Sequence, residues 1–228
     1  MGIVLSCEHA GCDVPEGYQY LFAADPDVLR THRSYDIGIE PLARRVAGLL
    51  DVPLLACRTS RLLIEPNRSL HHPKLFSEFS RSLRPEERDR LIDCIWRPHR
   101  QAVTEAVARH VHRGCPVLHL ALHSFAPVMD GTRRKADLGL LYDPRRSKES
   151  RVARILQEEL RRTAGWRVRR NYPYEGRADG LTSALRRTFR PDDYLGLEIE
   201  WNQSLLAGPA TDAEALARPF CEALRSIR

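Results

Sequence analysis

The sequence predicts an α/β protein of three layers, with a mixed, mostly parallel sheet covered by helices on both faces. Two patterns and one bulk property carry that reading. Short apolar runs alternate along the chain with amphipathic stretches, as strands alternate with helices. Runs such as PVLHLAL are apolar enough to be buried on both sides, and parallel strands need helical crossovers that cover the sheet. With 228 residues, 43% of them hydrophobic, the chain can bury one sizeable core, so a single domain spanning 1–228 is expected.

The elements follow in order. Residues 3–6 read as the first strand, ending in SCEHAGCDVP. The segment 35–50, YDIGIEPLARRVAGLL, spaces its apolar residues as an amphipathic helix. A strand starts at 53–56 and runs towards SRLLIEPNRS, followed by a second extended segment. Residues 84–113 open with proline and acidic residues, which favour a helix start, and Pro98 predicts a kink or a division into two helices. Residues 116–122 form a buried strand ending at His123, 138–142 a short one, 148–163 an amphipathic helix and 194–201 the last strong strand. The stretch NYPYEGRADGLT is rich in turn formers and reads as a loop.

Composition excludes several function classes. No run approaches the roughly 18 apolar residues of a membrane span, and the N-terminus lacks a basic region followed by a cleavable apolar stretch. A cytoplasmic protein is expected. The six cysteines (7, 12, 57, 94, 115, 221) contain no CxxC pair, against a zinc-ribbon or thioredoxin-like motif. The formal charge of +6 comes with arginines interleaved with glutamates, as in RILQEELRRT, and no RNA-binding signature accompanies it. No nucleic-acid partner is expected; the positive balance suits anionic substrates.

In a doubly covered sheet, reactive residues gather beyond the carboxyl ends of the strands. Glu8 and His9 follow the first strand, Asn67 and Arg68 another, His123 and Ser124 a third, and Glu198 and Glu200 lie in the last. Glu198 and Glu200 share one strand face, and buried carboxylates are costly unless paired or coordinating a metal. His119, four residues before His123, is expected beneath the site.

The stretches CEHAGCDVP, SYDIGIEPLARRVA, SRLLIEPNRS, LHSFAPVMDG, DLGLLYD, NYPYEGRADGLT and LEIEWNQ, in this order, resemble the N-formylglutamate amidohydrolase family and, more distantly, the zinc carboxypeptidase superfamily. The resemblance implies the zinc carboxypeptidase-like (phosphorylase/hydrolase-like) fold and a Zn2+-dependent amidase of small anionic N-acyl amino acids such as N-formylglutamate. His9 and His123 match the two metal-binding histidines. The position three residues after the first histidine, a glutamate in zinc carboxypeptidases, is Cys12 here. Asp36, in SYDIG, matches an aspartate recurrent in the amidohydrolases and is the first choice for the third ligand, with Glu8 the second and a Cys12 thiolate the third. Glu200, ranked ahead of Glu198, is the implied general base and acid. Asn67 and Arg68 inherit the grip on a substrate carboxylate, with Arg61 adding a contact or polarising the scissile carbonyl. Ser124, Asn171, Tyr174, Asp179 and Thr182 are further substrate-contact candidates, the last four equally readable as turn formers. The competing reading is a non-catalytic small-anion-binding member of the fold.

Overall fold

A computed structural model gives the architecture and describes residues 1–206, 208 and 212–227. The strands are β1 (Gly2–Cys7), β2 (Leu54–Ala56), β3 (Val117–Phe125), β4 (Val128–Met129), β5 (Thr132–Arg133), β6 (Leu138–Leu141), β7 (Val168–Arg170) and β8 (Tyr194–Asn202). Six of them form one sheet in the order β2-β1-β3-β8-β6-β7, while β4 and β5 make a small hairpin. Only the β6–β8 pairing in that sheet is antiparallel. The mixed, mostly parallel three-layer architecture expected from the sequence is the one observed.

The helices are α1 (Ile39–Leu50), α2 (Pro85–Leu91), α3 (Arg97–Val111), α4 (Ser147–Ala164), α5 (Leu181–Thr188) and α6 (Ala213–Arg225). Strand alternation explains their division between faces. Leu118, Leu120 and Leu122 of β3, with Leu195, Leu197, Ile199 and Trp201 of β8, point towards α1, α4 and α6 and form the main core. Val117 and Tyr194 point the other way, with Val4, and are covered by Val103 and Val107 of α3 and Leu181 and Leu185 of α5. A third apolar cluster, including Phe22, Leu62, Leu63, Ile64, Leu75 and Leu91, supports the connection between β2 and α3.

Three expectations change. The extended segment beyond β2 is a series of turns, in which Leu63 N donates to Ser60 O and Arg68 N to Glu65 O. Its apolar residues face the third cluster rather than a neighbouring strand. The helical stretch before β3 is not broken at Pro98 itself; one turn of π-helix, Ile92–Trp96, interrupts its regular repeat just ahead of Pro98, the second residue of α3, whose missing N–H falls inside this continuous helical run. The loop 171–182 yields to α5 at Leu181, so Thr182 is helical. Among the described residues no helix is long and apolar enough to cross a membrane.

Midway along the α3/α5 face of the sheet the residues turn polar. The two ring nitrogens of His119 meet Ser6 Oγ and the Tyr194 hydroxyl, each at 2.8 Å. Burial pushes this imidazole down to about 4 from an ordinary 6.5. The unfolded chain therefore takes up a proton that the folded one refuses, and stability is lost as pH falls from 6.5 towards 4. The loss is on the order of 3 kcal/mol. His119→Gln, which keeps a donor and an acceptor, should flatten this component: the stability of wild type minus variant, from urea unfolding, should fall across that interval. A difference constant with pH contradicts the assignment.

Candidate active site

The polar face ends in a cavity of about 250 Å³ at the carboxyl end of the sheet, lined among others by His9, Asp36, Arg61, Arg68, His123 and Glu200. Register brings the strand residues together: His123 pairs with Glu200 and Ala121 with Glu198. Asp36 comes from the turn before α1, anchored by its N–H to His9 O at 3.0 Å. The left-handed Gly38 (φ 77°) completes that turn, where a Cβ would strike Leu206 Cβ at 2.6 Å.

Asp36 Oδ2 is the point of convergence. It lies 3.0 Å from His123 Nδ1 and 3.4 Å from His9 Nδ1, and accepts the Ser124 N–H at 3.1 Å. The outer nitrogens face carboxylates too. His9 Nε2 donates to Glu65 Oε1 at 2.5 Å, and His123 Nε2 lies 2.9 Å from Glu8 Oε2, although the N–H is not aligned for a full hydrogen bond. Burial works against charging both rings, but the surrounding carboxylates prevail and hold His9 above and His123 well above the ordinary imidazole range. Burial likewise opposes the charged forms of Asp36 and Glu8, which the histidines nevertheless hold below the usual carboxylate range. Glu65 is also held low, by Arg61 and then His9.

Two buried imidazoles thus stand among three buried carboxylates, with both Nδ1 atoms aimed at one aspartate. His9, Asp36 and His123 offer ligand atoms within 4.8 Å of one another. Two imidazoles and one carboxylate, with a cavity beside them, suit zinc with an open position. The outer carboxylates would keep hydrogen on Nε2 and leave the Nδ1 lone pairs for a metal. The donor set fits that ion.

Glu200, 5% exposed, keeps Oε2 without a hydrogen-bond partner in this buried cavity. Burial pushes its carboxyl up to about 7; His123 opposes the rise, while Asp36 and Glu198 add to it. Glu198 also lines the cavity but is engaged by Thr182, whose hydroxyl donates to Oε1 at 2.6 Å.

The other expected contacts divide. Asn67, Arg68, Ser124, Tyr174 and Asp179 line the cavity. Asn67 Oδ1 accepts the Leu181 N–H, and Arg68 Nη1 donates to Asp179 O at 2.6 Å. Asn171 does not line it: its side chain accepts the N–H groups of Tyr142 and Gly176, so it is a turn former. Thr182 faces Glu198 from behind, and Glu8 lies outside the His9–Asp36–His123 group, as does Cys12. Glu65 was not anticipated. Its position was a signal in itself, since a carboxylate following LLI in SRLLIEPNRS, four residues from Arg61, is buried only with partners. Arg61 meets Glu65 Oε2 through Nε at 2.7 Å and Asp36 Oδ1 through Nη1 at 3.6 Å.

The family model described as N-formylglutamate amidohydrolase matches residues 1–207. The chain belongs to the N-formylglutamate amidohydrolase family. The structure of gene product Atu2144 from Agrobacterium tumefaciens is 30% identical, with a TM-score of 0.83 over 99% of this chain and 91% of that one. An N-formylglutamate amidohydrolase from Ralstonia eutropha JMP134 is 22% identical, with a TM-score of 0.72 over 99% and 92%, and shares the fold. No curated protein matches the chain. Family membership makes the chain an amidohydrolase.

Arg61 is the fixed cation of this acidic cluster. Its replacement in Arg61→Met should lower stability in urea unfolding by about 1.5–3 kcal/mol, as losing a hydrogen bond to a charged group does. Wild-type stability would show that Glu65 is satisfied without it.

Proposed function

We propose that this member of the family is a zinc-dependent amidohydrolase that cleaves the amide of a small anionic N-acyl amino acid, N-formylglutamate being the type substrate. The observation that carries the reading is the convergence of His9 Nδ1, His123 Nδ1 and Asp36 Oδ2 beside the unpartnered Glu200 Oε2. Zinc held by His9, Asp36 and His123 would supply Lewis acidity for a water and for the scissile carbonyl.

The chain's residues supply the rest. Glu200 accepts the proton of the attacking water and returns it to the leaving nitrogen, a role suited to a buried carboxyl that titrates near neutrality. Glu198, fixed by Thr182, remains the second carboxylate on that strand face and raises Glu200 by its charge. Arg68 presents a guanidinium to the cavity for the substrate's carboxylate, anchored at one nitrogen by Asp179 O, with Asn67 beside it. Arg61, committed to Glu65 and Asp36, balances charge on the metal side. Tyr174 closes the outer wall, its hydroxyl accepting from Arg134 Nη1 at 3.2 Å. Arg68, whose guanidinium meets only a backbone carbonyl in the lining, favours an anionic substrate; the identity of the acyl group rests on the family.

Turnover of N-formyl and N-acetyl amino acids with acidic and neutral side chains, assayed with zinc present, tests the substrate class; hydrolysis of neutral substrates alone contradicts it. His9→Ala and His123→Ala should each lose bound zinc and activity, and full zinc occupancy in both removes the metal site. Glu200→Gln should keep zinc while kcat falls roughly 100-fold or more. Arg68→Ala should chiefly raise KM, weakening binding by about 2–5 kcal/mol. Near-normal kcat in both Glu200→Gln and Glu198→Gln would take the proton shuttle off β8.

A further inference from the structure

Glu8 precedes His9 in sequence but serves a different histidine. It has no exposed surface, and its two oxygens face two imidazoles: Oε2 lies 2.9 Å from His123 Nε2 and Oε1 lies 3.3 Å from His99 Nε2. The His99 side chain is only 7% exposed. It stands in the first turn of α3, directly after the π-helical turn Ile92–Trp96. Such a turn adds a residue to the helical repeat and so re-aims the side chains that follow it. A buried line of contacts, Asp36–His123–Glu8–His99, therefore runs from the cavity back to α3.

His9 has a matching support of different chemistry. Glu65 faces its Nε2, and is itself held by Arg61 Nε at 2.7 Å and the Asn67 N–H at 3.0 Å. Both histidines of the site thus meet a carboxylate at Nε2, and each carboxylate has an anchor of its own.

We propose that Glu8 and His99 are positioning residues for the metal site: Glu8 fixes the ring and tautomer of His123 through Nε2, so that Nδ1 offers its lone pair beside Asp36, and His99 acts only by holding Glu8. A carboxylate 2.9 Å away can only accept, so even with the N–H imperfectly aligned it favours the hydrogen on Nε2 and leaves Nδ1 to coordinate. This assignment rests on the metal-site reading above and gives Glu8 a role other than that of a ligand.

The test is a double-mutant cycle on zinc affinity, measured by competition with a chromogenic chelator in wild type, Glu8→Gln, His99→Gln and the double variant. Urea unfolding of the metal-free proteins runs alongside. Glu8→Gln should bind zinc 10- to 100-fold more weakly, the usual effect of losing such a partner. His99→Gln should weaken it less, and the double variant should be no weaker than Glu8→Gln, because His99 acts through Glu8. Wild-type affinity in Glu8→Gln, or losses that add in the double variant, would overturn the proposal. If Glu8→Gln does not fold, His99→Gln decides: it must weaken zinc with an unchanged unfolding midpoint, and unchanged affinity overturns the role. His123→Ala in the same assay separates the two levels. If it retains zinc, the metal site itself is wrong; if it loses zinc while Glu8→Gln does not, only the positioning role fails.

Discussion

Three carboxylates, Glu8, Asp36 and Glu65, are buried around the rings of His9 and His123, and the end of the molecule that holds them is organised by the need to satisfy that charge. Burying an ionised carboxylate costs several kcal/mol unless a partner offsets it. Here each carboxylate has an imidazole and a further nitrogen partner, Arg61 for Glu65 and Asp36 and His99 for Glu8, and Asp36 also takes a backbone N–H. The arrangement constrains the backbone widely. Asp36 is tied to His9 and Ser124, Glu65 to Asn67, and Asn67 to the start of α5, so the loops after β1 and β2 and the turn before α1 are fixed relative to β3.

The sheet makes this possible through a polarity gradient on one face. At the amino end Val4, Val117 and Tyr194 pack against α3 and α5; in the middle Ser6 and His119 hydrogen-bond; at the carboxyl end His123 and Glu200 stand side by side in register. The opposite face stays apolar along its length, from Leu118 to Leu122 and from Leu195 to Trp201. Period-two alternation lets one strand serve both requirements. Gly139, opposite Glu200, adds a local condition: a Cβ there would lie 1.7 Å from Tyr172 O, so only glycine lets that loop pass close to the site.

Much of this was legible in the chain. Apolar runs alternating with amphipathic ones disclosed the layered fold, strand ends disclosed a rim that includes Glu8, His9, His123, Glu198 and Glu200, and the family resemblance selected His9, His123 and Glu200 among them. What stayed hidden depended on long-range packing. The residues after β2 look strand-like because Leu62, Leu63 and Ile64 are contiguous and apolar, yet a satellite core claims them and folds them into turns. Glu65 and His99 carry no local mark of the groups they support, His9 and Glu8, which lie 56 and 91 residues away in sequence. Asn171 sits in a segment that does border the site, but its positive φ of 47° and its bonds to two backbone N–H groups give it a local task. Helix α6, absent from the sequence-based element list, packs its buried Phe220 and Leu224 into the main core.

In the proposed metal site the Nδ1 atoms of His9 and His123 and the Asp36 carboxylate hold one ion, with Glu65 and Glu8 behind the two rings. A crystal structure of the zinc-loaded protein, with zinc located by its anomalous scattering, tests this directly. One zinc peak is expected about 2.0–2.1 Å from both Nδ1 atoms and bonded to an Asp36 oxygen, with Nε2 of each ring still facing Glu65 and Glu8. Zinc on the Nε2 side, with Glu8 or Glu65 as ligands, or zinc away from this cluster, would contradict it.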